Sequence, residues 1–234
     1  MHFRKLITGM MAGAMLLTLA QCDKDESGDT LTYTFQFENG KEEWESFFSD
    51  YPEGEEELYE LDFERTGLPA PLDHDTYSLK LSGKNHSDDL LSIIYRKFSG
   101  LKPNTKYKVT FDVDMASIAP TNSFGVGGSP DLAFGAGGIN EAPANSVDDQ
   151  NHNRPNFESA LQSGESNAVF KVLGRIGVKD DNTEWTMINR NNKKSAITLE
   201  TNEAGELWLM LGTDSGFEAT TTLYFKKITI RLTP

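Results

Sequence analysis

One cysteine, Cys22, stands in 234 residues, so no intramolecular disulfide can form and a disulfide-stapled scaffold is excluded in any compartment. Basic residues are also scarce: 22 Lys and Arg face 36 Asp and Glu, for a net charge of −14. No Lys/Arg cluster relieves that balance. A chain so charged repels phosphate backbones, and no nucleic-acid partner is expected. Neutral sugars and divalent cations remain compatible with it. The four histidines are scattered and the lone cysteine sits near the start, so zinc is not expected. No Gly-x-Ser-x-Gly elbow, phosphate loop or His/Cys dyad occurs. After the first apolar run no second one reaches the length of a membrane-spanning helix.

That first run is the clearest feature present. His2, Arg4 and Lys5 precede an uncharged stretch from Leu6 to Ala20. The stretch suits the core of a signal peptide and is too short to cross a bilayer of roughly 30 Å as a helix. It ends Leu19-Ala20-Gln21-Cys22, which resembles the lipobox of bacterial lipoproteins, whose cysteine becomes the lipidated N-terminus. Gln21 departs from the usual small residue, and ordinary cleavage leaving Cys22 as a free thiol is the rival reading. The resemblance implies a signal peptide over 1–21, lipidation at Cys22 and membrane attachment through that lipid. Residues 22–30, with Asp23-Lys24-Asp25-Glu26, read as an acidic tether. They also resemble the acidic stretch that sends some lipoproteins to the outer face of the outer membrane. Without residues 1–21 the balance is 20 basic against 36 acidic residues, or −16.

From residue 31 the apolar period is two. Leu31, Tyr33, Phe35 and Phe37 alternate with polar residues and stop at Asn39-Gly40. Further strands are predicted from Tyr77 to Leu81, Leu90 to Phe98 and Tyr107 to Val113, the last two joined by a turn through Gly100, Pro103 and Asn104. Val169–Val178, Thr183–Ile188, Ser195–Thr201, Leu207–Leu211 and Leu223–Leu232 complete the set, the last with a register shift at Lys226-Lys227. No helical stripe is sustained. Two segments break the rhythm: 50–75, and 116–167, which is rich in Gly, Asn, Pro and Ser. A structureless loop as long as the second would be unusual, so strands are expected near Phe124–Gly127 and Leu132–Gly137. The reading is an all-β fold, a single β-sandwich domain over 31–234 with long inter-strand loops.

Three phrases refine it. Phe98 to Phe111, with Gly100-Leu101-Lys102-Pro103-Asn104-Thr105-Lys106-Tyr107, resembles a hairpin recurrent in jelly-roll modules. Gly216 to Ile230 resembles their last strand, and Phe35-Gln36-Phe37-Glu38-Asn39-Gly40 with Trp44 their first. Together they resemble the galactose-binding-domain-like superfamily, which includes many carbohydrate-binding modules. The resemblance implies a jelly-roll sandwich. It implies function weakly, because that fold hosts binders of sugar, lipid and protein alike.

A sandwich that binds glycans needs an aromatic platform with polar neighbours. The candidates are Trp44, Tyr51 and Trp185, with Arg154 as a polar contact. Core packing is the rival account of each aromatic, and a solvated loop the rival account of Arg154. Tight acidic loops make Asp88, Asp89, Asp214 and Glu218 candidate ligands for a structural calcium, which the resemblance also suggests; turn formation is their alternative role. Paired carboxylates abound, but sequence neighbours on a strand point to opposite faces. Asp112 and Asp114 keep the spacing for one face, yet the alternation puts both outside. The expected function is a glycan-binding module of the cell envelope. The alternative is a structural or protein-interaction protein without a small ligand, and a polysaccharide-degrading sandwich enzyme comes third.

Overall fold

The computed structural model describes residues 30–179 and 184–234. The signal-peptide reading, Cys22 and the tether up to residue 29 lie outside the described residues, as do residues 180–183. Among the described residues there are strands and no helix.

Two antiparallel sheets form the sandwich. The first follows the order β11 (Thr186–Asn191), β6 (Lys106–Ser117), β14 (Thr220–Thr233), β4 (Tyr77–Lys84), β3 (Asp62–Gly67). β1 (Leu31–Phe35) joins it by pairing with β14, and β12 (Ile197–Glu200) by pairing with β6, which makes seven strands. The second sheet runs β10 (Phe170–Arg175), β7 (Ala133–Ile139), β13 (Leu207–Ser215), β5 (Leu90–Phe98), β2 (Glu45–Ser49). A small ribbon of β8 (Asn145–Val147) and β9 (Asn153–Pro155) stands apart. This is the all-β sandwich that the period-two pattern predicts, in the jelly-roll form that the resemblance implies.

The core lies where the inner faces meet. Leu79, Leu81, Val109, Phe111, Val113 and Met115 from the first sheet pack with Ile94, Phe134, Ala136, Leu209 and Leu211 from the second. Alternation does the sorting: along β6 the odd residues from Tyr107 to Met115 are buried, while Thr110, Asp112 and Asp114 face away. In β14 the inward set changes parity, from Leu223 and Phe225 to Ile228, Ile230 and Leu232. The shift in pairing between Phe225 and Lys227 makes this possible, because one extra residue restores the inward aim.

Four strands escape the sequence pattern. β2, over Glu45–Ser49, falls where no strand is predicted, β3 in the interrupted segment 50–75, and β8 and β9 in the segment 116–167. In the second long segment, β7 fulfils the expectation near Leu132–Gly137. The expected strand at Phe124–Gly127 is instead a tight turn closed by the Gly125 and Gly128 backbones. β7 is glycine-rich for a packing reason. A Cβ on Gly137 would stand 1.7 Å from the Val169 carbonyl oxygen, and one on Gly135 would stand 2.4 Å from Leu161. The excursion over 140–169 therefore lies directly on the outer face of the five-stranded sheet, where Leu161 and Phe157 pack with Leu91, Ile93, Phe170 and Met210. The seven-stranded sheet keeps a polar outer face.

Candidate functional sites

The outer face of the seven-stranded sheet carries a row of side chains across five strands. Tyr224 on β14 pairs with Ala116 on β6 and with Lys80 on β4; Ala116 pairs with Met187, and Lys80 with Glu64. Trp185, just before β11, meets Tyr224 edge-to-face with ring centroids 4.9 Å apart. Both rings are half-buried. Polar side chains extend the row. Asn189 Nδ2 donates to Asp112 and to Asp114 at 2.8 Å each, and Asn191 Nδ2 donates to Asn189 Oδ1 at 2.9 Å. Lys193 Nζ lies 2.6 Å from Asp112. Burial alone would raise the Asp112 carboxyl, but hydrogen bonds from Lys193 and Asn189 outweigh it and hold the group below its usual value. Lys80 bridges Asp62 at 2.7 Å and Glu64 at 3.1 Å, and the Asp62 bond raises its pKa above the ordinary lysine value. The result is a fixed surface of amides, carboxylates and ammonium groups beside an aromatic pair.

A second site lies at one end of the five-stranded sheet. β2 ends at Ser49, β5 begins at Leu90, and Ser215 of β13 pairs with Leu90, so Asp50, Asp89 and Asp214 gather at the same rim. Asp214 pairs with Leu91 and shares its outward parity, which turns the carboxylate beneath the excursion. Arg154 on β9 ties that excursion down: Nη1 donates to Asp50 and Nε to Asp148, at 2.9 and 2.8 Å, and Asp89 lies 3.8 Å away. A cleft of about 460 Å³ opens here between Asp50, Asp89, Arg154, Phe157, Ser159 and Gln162, with Asp214 in its wall. Asp89 is pushed up to about 7, first by burial and then by the charges of Asp214 and Asp50. Burial also raises Asp214, against the hydrogen bond it accepts from Ser159. Asp50 is raised by burial despite the Arg154 bond.

The aromatic expectations need correction at two positions. Trp44 is 1% exposed and packs edge-on against Phe35, since its side chain fills the end of the core. Tyr51 is buried against Tyr59, with its hydroxyl on Glu56. Neither offers an open ring face. Trp185 does lie on the surface, and Arg154 lines the rim cleft; the structure does not bring the two together. Of the four expected calcium ligands, Asp89 acts electrostatically on Asp214 and Asp88 on Glu218, and Asp88 and Asp214 line one cleft of about 340 Å³. Among the described residues no group of three or more His, Cys, Asp or Glu is arranged to hold a metal ion.

Three surface features were not read from the sequence. Tyr224 was legible in principle, because Leu223 and Phe225 point inward and the residue between them must point out. Tyr77, 42% exposed, lines a groove of about 500 Å³ with Gln36, Glu38, Asn39, Asp75 and Lys226, and the Arg65 guanidinium lies 3.5 Å from its ring centroid. Phe124 and Val126, 86% and 67% exposed, stand on the Gly125/Gly128 turn. An apolar groove lined by Ile118, Pro120, Ile176 and Phe217 lies at the same end.

No protein-family model matches the chain, and no curated protein matches it in sequence. Solved structures do resemble it. One is a carbohydrate-binding module studied for specific mannan recognition: 12% identity, TM-score 0.39, covering 86% of this chain and 97% of that one. A candidate sugar-binding protein from Bacteroides thetaiotaomicron gives 8% identity and a TM-score of 0.40 over 79% of this chain and 86% of that one. The K1 adhesin domain of Lys-gingipain from Porphyromonas gingivalis gives 12% identity and a TM-score of 0.35, over 85% and 96%.

Proposed function

We propose that the protein is an exported glycan-binding module, lipid-anchored through Cys22 at the outer membrane, whose binding surface is the outer face of the seven-stranded sheet. One observation carries the binding reading: an aromatic pair, Trp185 and Tyr224, stands on a sheet face that no described residue covers and whose neighbouring side chains are fixed amides, carboxylates and ammonium groups. Aromatic rings take the apolar face of a pyranose, and planar polar groups bond its hydroxyls. The sheet holds these groups in place before any ligand arrives, which limits the ordering cost of binding. The anchor rests on the basic, apolar and Leu19-Ala20-Gln21-Cys22 segments. Of the expected calcium ligands, Asp88 with Glu218 is the oxygen pair that remains for a structural ion.

A glycan-array screen, run with calcium and again with a chelator, tests the binding. Binding that falls about tenfold or more in Trp185→Ala and in Tyr224→Ala is the expected result. No binding by the folded protein under either condition overturns it. Loss with chelator alone assigns the cation a part. Cys22→Ser should abolish incorporation of labelled palmitate and release the protein from membranes; unchanged fractionation overturns the anchor.

A second reading has its own observation. The exposed Phe124 and Val126 beside an apolar groove suit an envelope protein that contacts another protein and takes no small ligand.

A further inference from the structure

The rim cleft presents a charge problem of its own. Asp50, Asp89 and Asp148 gather about one guanidinium, and Asp214 and Glu158 add two more carboxylates to the cleft wall. Arg154 is already committed to Asp50 and Asp148. His152 adds a weaker positive influence at Asp50. The carboxylates of the cleft therefore outnumber its positive groups.

The deepest carboxylate shows where the shortage is felt. Asp214 is 6% exposed and lines both the 460 Å³ cleft and a second one, of about 340 Å³, on the side of Asp88 and Asp131. Ser159, the Gln162 N–H and Asp89 turn toward its carboxylate, yet Oδ1 is left without a hydrogen bond of good geometry. A buried carboxylate oxygen without a donor is costly, and such a group calls for a charged donor from outside the chain.

The lining selects among cations. A bare calcium ion needs six to eight oxygens converging at 2.3–2.6 Å. Among the described residues no three acidic or histidine side chains converge in that way. An ammonium group asks less, since it donates along three directions at ordinary hydrogen-bond lengths. The remaining wall suits a hydroxylated ring better than an alkyl chain: Ser159, Ser163 and Gln162 supply polar groups, while Phe157 and Pro155 supply one apolar side.

We infer that the rim cleft is a binding site for an amino sugar with a free ammonium group, seated between Asp89 and Asp214 and separate from the face that carries Trp185. Glucosamine is the probe, titrated into the full-length protein and followed by calorimetry and by side-chain carboxyl shifts. Glucosamine should bind, while glucose and N-acetylglucosamine should bind at least about tenfold more weakly. Asp89→Asn, at the accessible edge, should weaken glucosamine about tenfold or more and leave the fold intact. Asp214→Asn should do the same from the buried side. Trp185→Ala should leave glucosamine binding unchanged, so that failure of the sheet-face reading and failure of this one are distinguishable. Equal binding of glucose, binding of lysine as tight as that of glucosamine, displacement by calcium at equal concentration, or no binding of glucosamine would each overturn the assignment.

Discussion

Single residues divide here into those that hold the sandwich and those that face outward. Trp44 belongs to the first group: it is sealed beside Phe35, and its indole N–H finds no acceptor. Trp44→Ala should cost about 3–5 kcal/mol in urea unfolding by the cavity it leaves, without changing which glycans bind at the sheet face. Asp89 sets a pH dependence. Its folded pKa of about 7 lies above the ordinary 3.8, so the folded state holds a proton that the unfolded chain has released. Its contribution to stability is therefore fullest below about 3.8 and declines as pH rises toward about 7, with no further change above. Asp89→Asn should remove that decline, as measured by unfolding midpoints from pH 4 to pH 8; an unchanged profile would contradict the shift. The sequence could name Asp89 and Asp214 but not their pairing. One precedes β5 and the other lies one residue before the end of β13, and only the register of those strands brings them to the same rim. Trp44 and Trp185 look alike in sequence for a similar reason, since each lies near turn residues and only the packing separates core from surface.

At the scale of elements, most strands follow from alternation, and the exceptions have physical causes. The β14 shift was legible because Leu223 and Phe225 could not share an inward face with Ile228 and Ile230 unless an extra residue intervened. β7 was harder to read, because Gly135 and Gly137 supply no apolar side chain to complete a pattern. Their use lies in the space they leave for Leu161 and Val169. Gly137→Val should destabilise the protein by more than about 2 kcal/mol and loosen the excursion, visible as faster amide exchange over 140–169. Retained exchange protection would contradict the close approach. β2 was hidden because Phe47 and Phe48 are both apolar while pointing to opposite faces. Phe47 packs under the excursion and Phe48 in the core, a pattern that a half-buried strand does not show. Arg154 is the polar counterpart of this packing. Arg154→Ala should raise the susceptibility of 140–169 to limited proteolysis while leaving the core strands intact, because it removes the bonds to Asp50 and Asp148.

For the whole molecule, the two sheets share one core but differ outside it. The five-stranded sheet is covered by its own excursion; the seven-stranded sheet is left open by the described residues, polar and aromatic at one place. That asymmetry is the basis for assigning binding to the seven-stranded sheet. The most direct measurement is chemical-shift mapping of the labelled protein with the strongest glycan from the array. The account predicts perturbations at the Trp185 indole N–H and at the Asn189 and Asn191 side-chain amides, with Phe124 and Val126 silent. Perturbations confined to the Phe124 turn, or none at saturating glycan, would contradict it.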